Sequence, residues 1–194
     1  MNDFATWFSS GLSTWAATLL GSASLFLAVS FPLAAQQPPH TTERTLYLAS
    51  ADLDHIHSRL GDGQLTLIGE PGREQVEVQA TLYYYAEESI LLSLEQLNGE
   101  ARLEGGFIES NYTGLAPYMD VVIRVPASFS AAVRHGNGNL FIQDLTGMVS
   151  IESGSGDIDV SNVGGVRIEH SSGGKVSTKS IQGPVRISQR RAQR

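Results

Sequence analysis

The chain has 194 residues and a formal net charge of −7. Its hydrophobic content of 41% and charged content of 17% predict one globular domain rather than a disordered chain. The absence of cysteine excludes disulfide bonds and cysteine-ligated metal sites. An acidic domain would have to overcome repulsion by phosphates, so nucleic acid is not an expected partner.

The N-terminal segment has the composition of an export signal or of a membrane anchor. Trp15 to Ala35 reads WAATLLGSASLFLAVSFPLAA, and a polar, Pro-containing stretch follows it. An apolar run that ends in small residues favours a secretory signal over residues 1–35, cleaved near Ala35. The run is also long enough to span a bilayer as an uncleaved anchor, and no Lys or Arg precedes it. Both interpretations place the rest of the chain outside the cytoplasm, with residues 36–44 as a linker.

Between residues 45 and 126 the sequence predicts short strands and no helix. Gln75 to Tyr85 shows the pattern best, because apolar and polar residues alternate there as in a half-buried strand. Glu87 to Leu97 could be fitted to a helix, but the surrounding strand pattern favours a strand. Residues 105–118 are predicted to form an irregular loop. Further strands are predicted at 45–49, 64–68, 89–94, 100–103 and 119–126.

From Gly138 onward the sequence repeats every 18 residues, and an earlier echo, GDGQLTLIG, stands at 61–69. Each unit is predicted to hold two short strands and to stack on its neighbour with like residues above like, as in a β-solenoid. The second apolar pair slips by one residue in the middle unit. The three aligned units are GNLFIQDLTGMVSIE from Gly138, GDIDVSNVGGVRIE from Gly156 and GKVSTKSIQGPVRIS from Gly174. The apolar residues in register are Leu140/Ile158/Val176, Leu145/Val163/Ile181, Val149/Val166/Val185 and Ile151/Ile168/Ile187.

These motifs carry a family resemblance. The strand DVVIRVP, from Asp120 to Pro126, and the segments HGNGNLFIQDLTG and SGSGDIDVSNVGG after it resemble the bacterial "putative adhesin" family with its head-GIN-like, Ser-Gly-Asp-Ile β-repeat relatives. The resemblance covers residues 45–188. It implies an all-β fold, a right-handed β-solenoid or a stack of short strands with an irregular N-terminal β region. The family has no established function, and the resemblance implies no catalytic residues and no cofactor.

Two groups of residues could be interpreted as metal ligands. Asp157 and Asp159 lie in a Gly-rich segment, but a calcium β-roll needs an aspartate where this chain has an aliphatic residue. His55 and His57 would share one face of a strand, close to further aspartates. A metal site usually needs three or four ligands, so solvated turn and edge residues are favoured in both cases. No metal site is predicted.

No catalytic constellation emerges from the remaining motifs. His135 and His170 fall near equivalent corners of different units and are interpreted as surface turn residues rather than as a catalytic pair. The serines at 153–155 lack the G-x-S-x-G elbow of a serine nucleophile, and the glycines match no phosphate-binding loop. The basic tail at 189–194 is expected to be solvated. An outer charge ladder is expected from Glu152, Glu169, Arg167 and Arg186.

Tyrosines form the one aromatic concentration of the chain. Tyr83 to Tyr85, with Tyr112 and Tyr118 in the predicted loop, could serve as binding anchors. Packing of alternate tyrosines into the core is the favoured interpretation. Asn111-Tyr112-Thr113 also fits a glycosylation sequon, which matters only in a host with that machinery.

The leading hypothesis is a non-enzymatic, exported envelope protein, located in the periplasm, at the cell surface or in the medium. It would act as a scaffold or adhesin-like binding surface for an envelope polymer or a protein partner. Two alternatives stay open: a membrane-anchored sensor of envelope state if residues 15–35 remain uncleaved, and a polysaccharide-active enzyme. An enzyme predicts acidic residues that converge in a groove, a scaffold predicts a flat side, and a sensor predicts a retained anchor.

Overall fold

Strands dominate this computed structural model, which describes residues 38–108, 112, 114–170 and 173–189. Its helical content is a single 3₁₀ turn at Glu87–Ser89, so the described part of the chain is all-β, as predicted. No helix among those residues has the length and apolar character needed to cross a membrane. The strands are β1 (His40–Ala49), β2 (His55–Leu60), β3 (Leu65–Glu70), β4 (Gln75–Tyr84), β5 (Ile90–Leu97), β6 (Glu100–Phe107), β7 (Tyr118–Pro126), β8 (Ser130–Asn137), β9 (Leu140–Ser155), β10 (Ile158–His170), β11 (Val176–Ile181) and β12 (Val185–Gln189).

Three predictions lie outside the described residues. They are the signal or anchor at 1–35, nearly all of the basic tail at 189–194, and the sequon residues Asn111 and Thr113. The predicted linker at 36–44 is described only in part. Its residues 40–44 belong to β1, which starts at His40 and pairs antiparallel with β4.

The strands form one sheet that surrounds a single hydrophobic core. Two rows of strands can be followed through it. The first row is β1-β4-β7-β3-β9-β10-β11, and the second row is β5-β6-β2-β8-β9-β10-β12. Strands β9 and β10 belong to both rows, because the first part of each pairs in the first row and the second part pairs in the second row.

Residues that are 18 apart in the sequence lie side by side on parallel strands. Ile158 of β10 pairs with Leu140 of β9 on one side and with Val176 of β11 on the other. The one-residue slip of the middle unit is taken up by a shift of register at 163–165. The earlier echo also joins the same ladder, since Leu65 pairs with Leu140. The pairing expected from the sequence spacing is therefore present.

The prediction of two short strands in each unit is correct for the third unit, which contains β11 and β12. It is wrong for the first two units, because β9 and β10 continue through the expected break. The backbone bends within each strand, where Asp144 has φ 63° and Asn162 has φ 52°. Side chains other than glycine, asparagine and aspartate rarely adopt this left-handed conformation. Asn162 Nδ2 also donates a hydrogen bond to Asp144 Oδ1 at 2.7 Å, which holds the two bends in register.

The region before β9 is more regular than the irregular β region that the resemblance implied. Strands β2 and β8, which the sequence pattern did not indicate, pair with each other in parallel. Their alternation is weak because the inward positions include polar Ser58 and His135, both of which are buried. The predicted loop at 105–118 is also shorter, since β6 extends to Phe107 and β7 begins at Tyr118.

The core follows the predicted alternation closely. On β4 the four inward residues are each at most 3% exposed, and they contact inward residues of both rows through one continuous cluster. Burying a valine or leucine side chain contributes about 1.5–3 kcal/mol, so the shared core holds the two rows together. The four residues are Val76, Val78, Ala80 and Leu82.

Candidate functional site

A cavity of about 540 Å³ lies where the strands of the second row run into turns. Residues of β2, β8, β9, β10 and β12 line it, and these five strands are consecutive neighbours in the second row. At about 4.8 Å between strands, the cavity extends roughly 19 Å across them. We call it the transverse groove, because it crosses the strands instead of following one of them.

The outer wall of the groove is a row of polar side chains at one register position. Neighbouring strands place them directly beside one another. The charge changes sign along the row, from positive on β2 and β8 to negative on β9 and β10. A ligand that lies across the strands would therefore meet a basic end first and an acidic section next. The row consists of Arg59, Arg134, Glu152, Glu169 and Ser188.

Ion pairs fix the two carboxylates of this wall. Arg134 Nε lies 2.8 Å from Glu152 Oε2, across the β8–β9 pair. Arg167 Nη2 lies 2.6 Å from Glu169 Oε1, two residues along the same strand. The predicted ladder is thus correct for this second pair only. Arg186 lies beside Arg167 rather than beside a glutamate, because the arginines occupy a different register position from the glutamates.

The next register position, also part of the groove lining, points toward the core. It carries His135, Ser153 and His170 on successive strands, and all three are buried. His135 is 7% exposed and His170 only 1% exposed. The interpretation of these histidines as surface turn residues was wrong. Strands β8 and β10 continue far enough that the alternation turns both side chains inward.

The two buried histidines differ in their hydrogen bonding. His135 Nε2 lies 2.9 Å from the carbonyl oxygen of Gly63, whereas its Nδ1 has no partner. Neither ring nitrogen of His170 has a hydrogen-bond partner. Burial lowers the pKa of His135, although the Gly63 carbonyl and the Asp62 carboxylate oppose that shift. His135 is therefore neutral at pH 7 and donates Nε2–H to the carbonyl.

Backbone forms the floor of the groove where glycines follow the inward row. A Cβ at Gly136 would lie 2.6 Å from Asp62 Oδ1, and a Cβ at Gly154 would lie 2.7 Å from the Gly136 carbonyl oxygen. Both distances are too short for a side chain, so only glycine fits at these positions. The glycines therefore allow neighbouring segments of the chain to pack closely against one another beneath the groove.

The residues considered as metal ligands have other roles. His55 and His57 share a face of β2 as expected, but β2 pairs on both sides and is not an edge strand. Asp157 lies on an outer turn, where its Oδ1 accepts a hydrogen bond from the Lys175 backbone N at 2.8 Å. Among the described residues, no group of three or more His, Asp or Glu side chains could hold a metal ion.

The tyrosines form two stacked pairs, one across the β4–β7 pair and one just beyond the end of β4. Tyr83 stacks on Tyr118 with ring centroids 4.4 Å apart, and Tyr85 stacks on Tyr112 at 5.7 Å. Of Tyr83, Tyr84 and Tyr85, Tyr84 packs against the core, so the predicted packing of alternate tyrosines is confirmed there. Desolvation raises the pKa of Tyr118, and Tyr83 and Asp120 reinforce the shift.

Sequence reasoning did not find the groove, although a signal for it was present. The motifs HGNG and SGSG place His135 and Ser153, and the glycines that follow them, 18 residues apart. That spacing puts them side by side on β8 and β9. The motifs were interpreted as turns because β8 had not been predicted, and without β8 their side chains have no inward face.

Comparison with known proteins gives distant structural similarities only. No family model matches the chain, and no curated protein matches it. A "putative cell adhesion protein" from Clostridium sporogenes is 12% identical with a TM-score of 0.43, over 77% of this chain and 100% of that one. A "putative adhesin" from Parabacteroides distasonis is 10% identical with a TM-score of 0.37, over 71% and 65% of the two chains.

A "putative lipid binding protein" from Parabacteroides distasonis is 9% identical with a TM-score of 0.33, over 81% of this chain and 98% of that one. Similarity at this level does not assign a ligand or an activity to the chain. The site must therefore be interpreted from its own residues.

Proposed function

We propose that the protein is an exported, non-enzymatic binding protein of the bacterial envelope, adhesin-like in its role, that holds an envelope polymer in the transverse groove. The observation that carries the proposal is the course of the groove across five neighbouring strands. A site of about 19 Å in this direction suits an extended chain better than a compact small molecule.

The proposal includes a β-solenoid arrangement for the second half of the chain, in which each 18-residue unit forms one turn. Support comes from the parallel pairing of Leu140, Ile158 and Val176, and from the equivalent pairing of Ile151, Ile168 and Ile187. Stacked turns would place the same surface position of every unit in one line, which is the property that an elongated binding site needs.

The absence of enzymatic activity is proposed from the state of the two groove carboxylates. Glycoside hydrolysis needs a pair of carboxyl groups, one of which donates a proton to the leaving oxygen. Glu152 and Glu169 are each engaged by an arginine in an ion pair. In the proposal both carboxylates accept hydrogen bonds from ligand hydroxyl groups and do not take part in proton transfer.

Binding can be tested by co-sedimentation of the full chain with purified peptidoglycan sacculi and with insoluble capsular polysaccharide. Ser188→Trp places a large side chain in the groove from an exposed position on β12. Lys179→Trp, at an exposed position on β11 of the first row, is the control away from the groove. We expect the wild type and K179W to sediment with a polymer, and S188W to bind at least ten-fold more weakly. Equal binding by both variants, or no binding by the wild type, would contradict the proposal.

Export can be tested by expressing the full chain in a bacterial host, fractionating the cells and measuring the intact mass. A product that starts near Gln36 in the periplasm or medium supports export with cleavage. A full-length product in the membrane fraction favours the anchored sensor.

A polysaccharide-active enzyme is the second candidate, because Glu152 and Glu169 occupy opposed positions on adjacent strands of one groove. Cα atoms at such positions lie about 5 Å apart, so the carboxyl groups can come as close as those of a retaining glycosidase. The measurement is release of reducing ends from the polymer that co-sediments. Hydrolysis by the wild type that is lost in both Glu152→Gln and Glu169→Gln would replace the binding proposal with this one.

A further inference from the structure

Four basic side chains lie together at the β2 end of the transverse groove. His57 of β2 pairs with Arg102 of β6, and Arg59 of β2 pairs with Arg134 of β8. Residues two apart on a strand point to the same face, so His57 and Arg59 face the same side of the sheet. We call these residues, His57, Arg59, Arg102 and Arg134, the basic cluster.

Electrostatic repulsion acts within this cluster. The pKa of His57 is lowered first by burial and then by the positive charge of Arg102, and Arg134 and Arg59 add to the shift while Glu100 opposes it. All three guanidinium groups are therefore close enough to His57 to influence its charge. Like charges at directly opposed positions of a sheet are destabilising, and this cluster stands on a protein whose net charge is −7.

Acidic neighbours do not neutralise the cluster. Glu104 lies beside Arg59 in the sheet, and Glu95 lies beside Arg102. Among the described residues, however, the only ion pair that the cluster forms is the one between Arg134 and Glu152. Arg102 Nε is also buried without a hydrogen-bond partner. The positive charges of Arg59 and Arg102 are thus not paired with a carboxylate among the described residues.

We propose that the basic cluster binds the single anionic group of a charged glycan whose neutral sugars lie along the groove. Guanidinium groups bind carboxylate and phosphate through paired N–H donors, and Arg59 and Arg134 border the groove itself. The inference rests on the proposed polymer-binding function and gives its ligand a chemical class.

The remainder of the groove selects a glycan over other anions. Beyond the cluster the wall continues with Glu152, Glu169 and Ser188, and the floor is glycine backbone. These groups can pair with hydroxyl groups, and Leu60 is the one aliphatic side chain among the residues that line the groove. A polyanion with a charge on every unit would be repelled by the two glutamates. A glycan with one anionic unit followed by neutral sugars fits both the basic cluster and the acidic remainder of the groove.

The test uses the purified full chain and isothermal titration calorimetry with three tetrasaccharides. One carries a single uronic acid, the second is its methyl ester, and the third carries a single phosphate monoester in place of the acid. We expect at least one of the two anionic probes to bind ten-fold or more tightly than the ester. The tighter anionic probe identifies carboxylate or phosphate as the recognised group.

Variants assign that preference to the cluster. Arg59→Gln should abolish the preference over the ester, and Arg59→Lys should retain part of it. Arg186→Gln, an exposed arginine on the outer face of β12, should leave it unchanged. The preference of the wild type should also decrease as salt is raised, because exposed charges are screened.

Two results would overturn the inference: equal affinity for the anionic probes and the ester, or equal effects of R59Q and R186Q. The co-sedimentation assay separates these results from failure of the proposed function. If polymer binding is lost in S188W but the tetrasaccharides show no charge preference, the groove binds a polymer and the basic cluster does not read an anion. If the wild type neither sediments with a polymer nor prefers an anionic tetrasaccharide, both proposals are overturned.

Discussion

The two ends of the strand stack are built differently. At one end the outermost strands β1 and β5 pair antiparallel with their neighbours and also contact each other, which closes the end of the core. At the other end β11 and β12 each pair only with β10 among the described residues. Every residue of β12 is exposed, including Val185 at 47% and Ile187 at 46%.

The difference shows that register and burial are separate properties in this chain. Ile151, Ile168 and Ile187 occupy one register position, yet Ile168 is fully buried and Ile187 is nearly half exposed. The repeat sets which residues pair, whereas burial requires a further layer on the other side. An apolar residue near the open end therefore contributes less stability than its equivalent one strand further in.

The largest contrast is expected for Ile168→Ala and Ile187→Ala. Truncation at the buried position removes about 2–5 kcal/mol from the free energy of unfolding, because it leaves a cavity in the core. Truncation at the exposed position removes about 1 kcal/mol or less, since much of the side chain is already in contact with water. Urea unfolding followed by circular dichroism measures both. Equal losses would mean that the end formed by β11 and β12 is buried against another part of the chain or another molecule.

Glycine substitutions should give the next contrast. Gly156 has φ 107°, and a Cβ there would lie 2.2 Å from the Gly138 carbonyl oxygen, so Gly156→Ala is expected to cost about 3 kcal/mol or more. Gly99, in the hairpin between β5 and β6 near the closed end, has φ 81° with open space around it. Gly99→Ala should cost only the backbone strain of about 1–2 kcal/mol. Thermal unfolding measures both variants. A larger loss for G156A would show that the close approach of the neighbouring strand requires glycine in addition to the positive φ.

A smaller effect is expected from pH at the middle of the stack. The folded state holds the pKa of His135 below the unfolded value of about 6.5, so the unfolded chain takes up the proton first as the pH falls. Stability is lost as the pH decreases through 6.5 toward the folded pKa. His135→Gln should lose less stability than the wild type between pH 7.5 and 5.5. The pKa of His57 is also lowered, so stability of the variant still decreases to some extent as the pH falls. If urea unfolding shows the same change of unfolding free energy with pH for the wild type and the variant, His135 makes no contribution.

The smallest change in stability, within about 0.5 kcal/mol, is expected for Ile187→Lys. The same substitution should reduce the association of one copy of the chain with another. An exposed apolar edge strand is a template for pairing with another chain, and lysine blocks that pairing. Leu97→Lys, at a 40% exposed position on β5 of the closed end, is the control. Light scattering at increasing concentration should show less self-association in I187K only. If L97K has the same effect, the two ends do not differ in this respect.

The sequence predicted the fold best where apolar residues alternate or recur without interruption. The alternation on β4 gave its buried face correctly, and the 18-residue spacing gave the partners of Ile158. Both patterns depend on local geometry, since strands alternate and parallel neighbours stack in register. The connection of the two rows through β9 and β10 was not predictable, because it depends on left-handed backbone at Asp144 and Asn162, which are ordinary turn residues by composition.

The candidate site was harder to predict for a physical reason. Its inward positions are polar, so the hydrophobic pattern weakens at the strands that build it. Ser58 and His135 interrupt the alternation of β2 and β8. The basic cluster also joins His57 and Arg59 with Arg102 and Arg134, residues that are distant in sequence. Only the parallel pairing of β2 with β6 and β8 brings them together.

The glycine floor also limits how the groove can change in length. Gly136 and Gly154 are 18 residues apart and lie on neighbouring strands, so the groove gains or loses length in whole units. Removing residues 156–173 should shorten the groove by one strand spacing, about 4.8 Å, and leave the remaining rows aligned. Removing one residue more would turn the later inward side chains outward unless a turn absorbed the change, as the register shift at 163–165 does in the middle unit. If the groove binds a polymer as proposed, the number of 18-residue units would set the length of polymer that it holds. Duplication or loss of one segment would then change that length without redesign of the core.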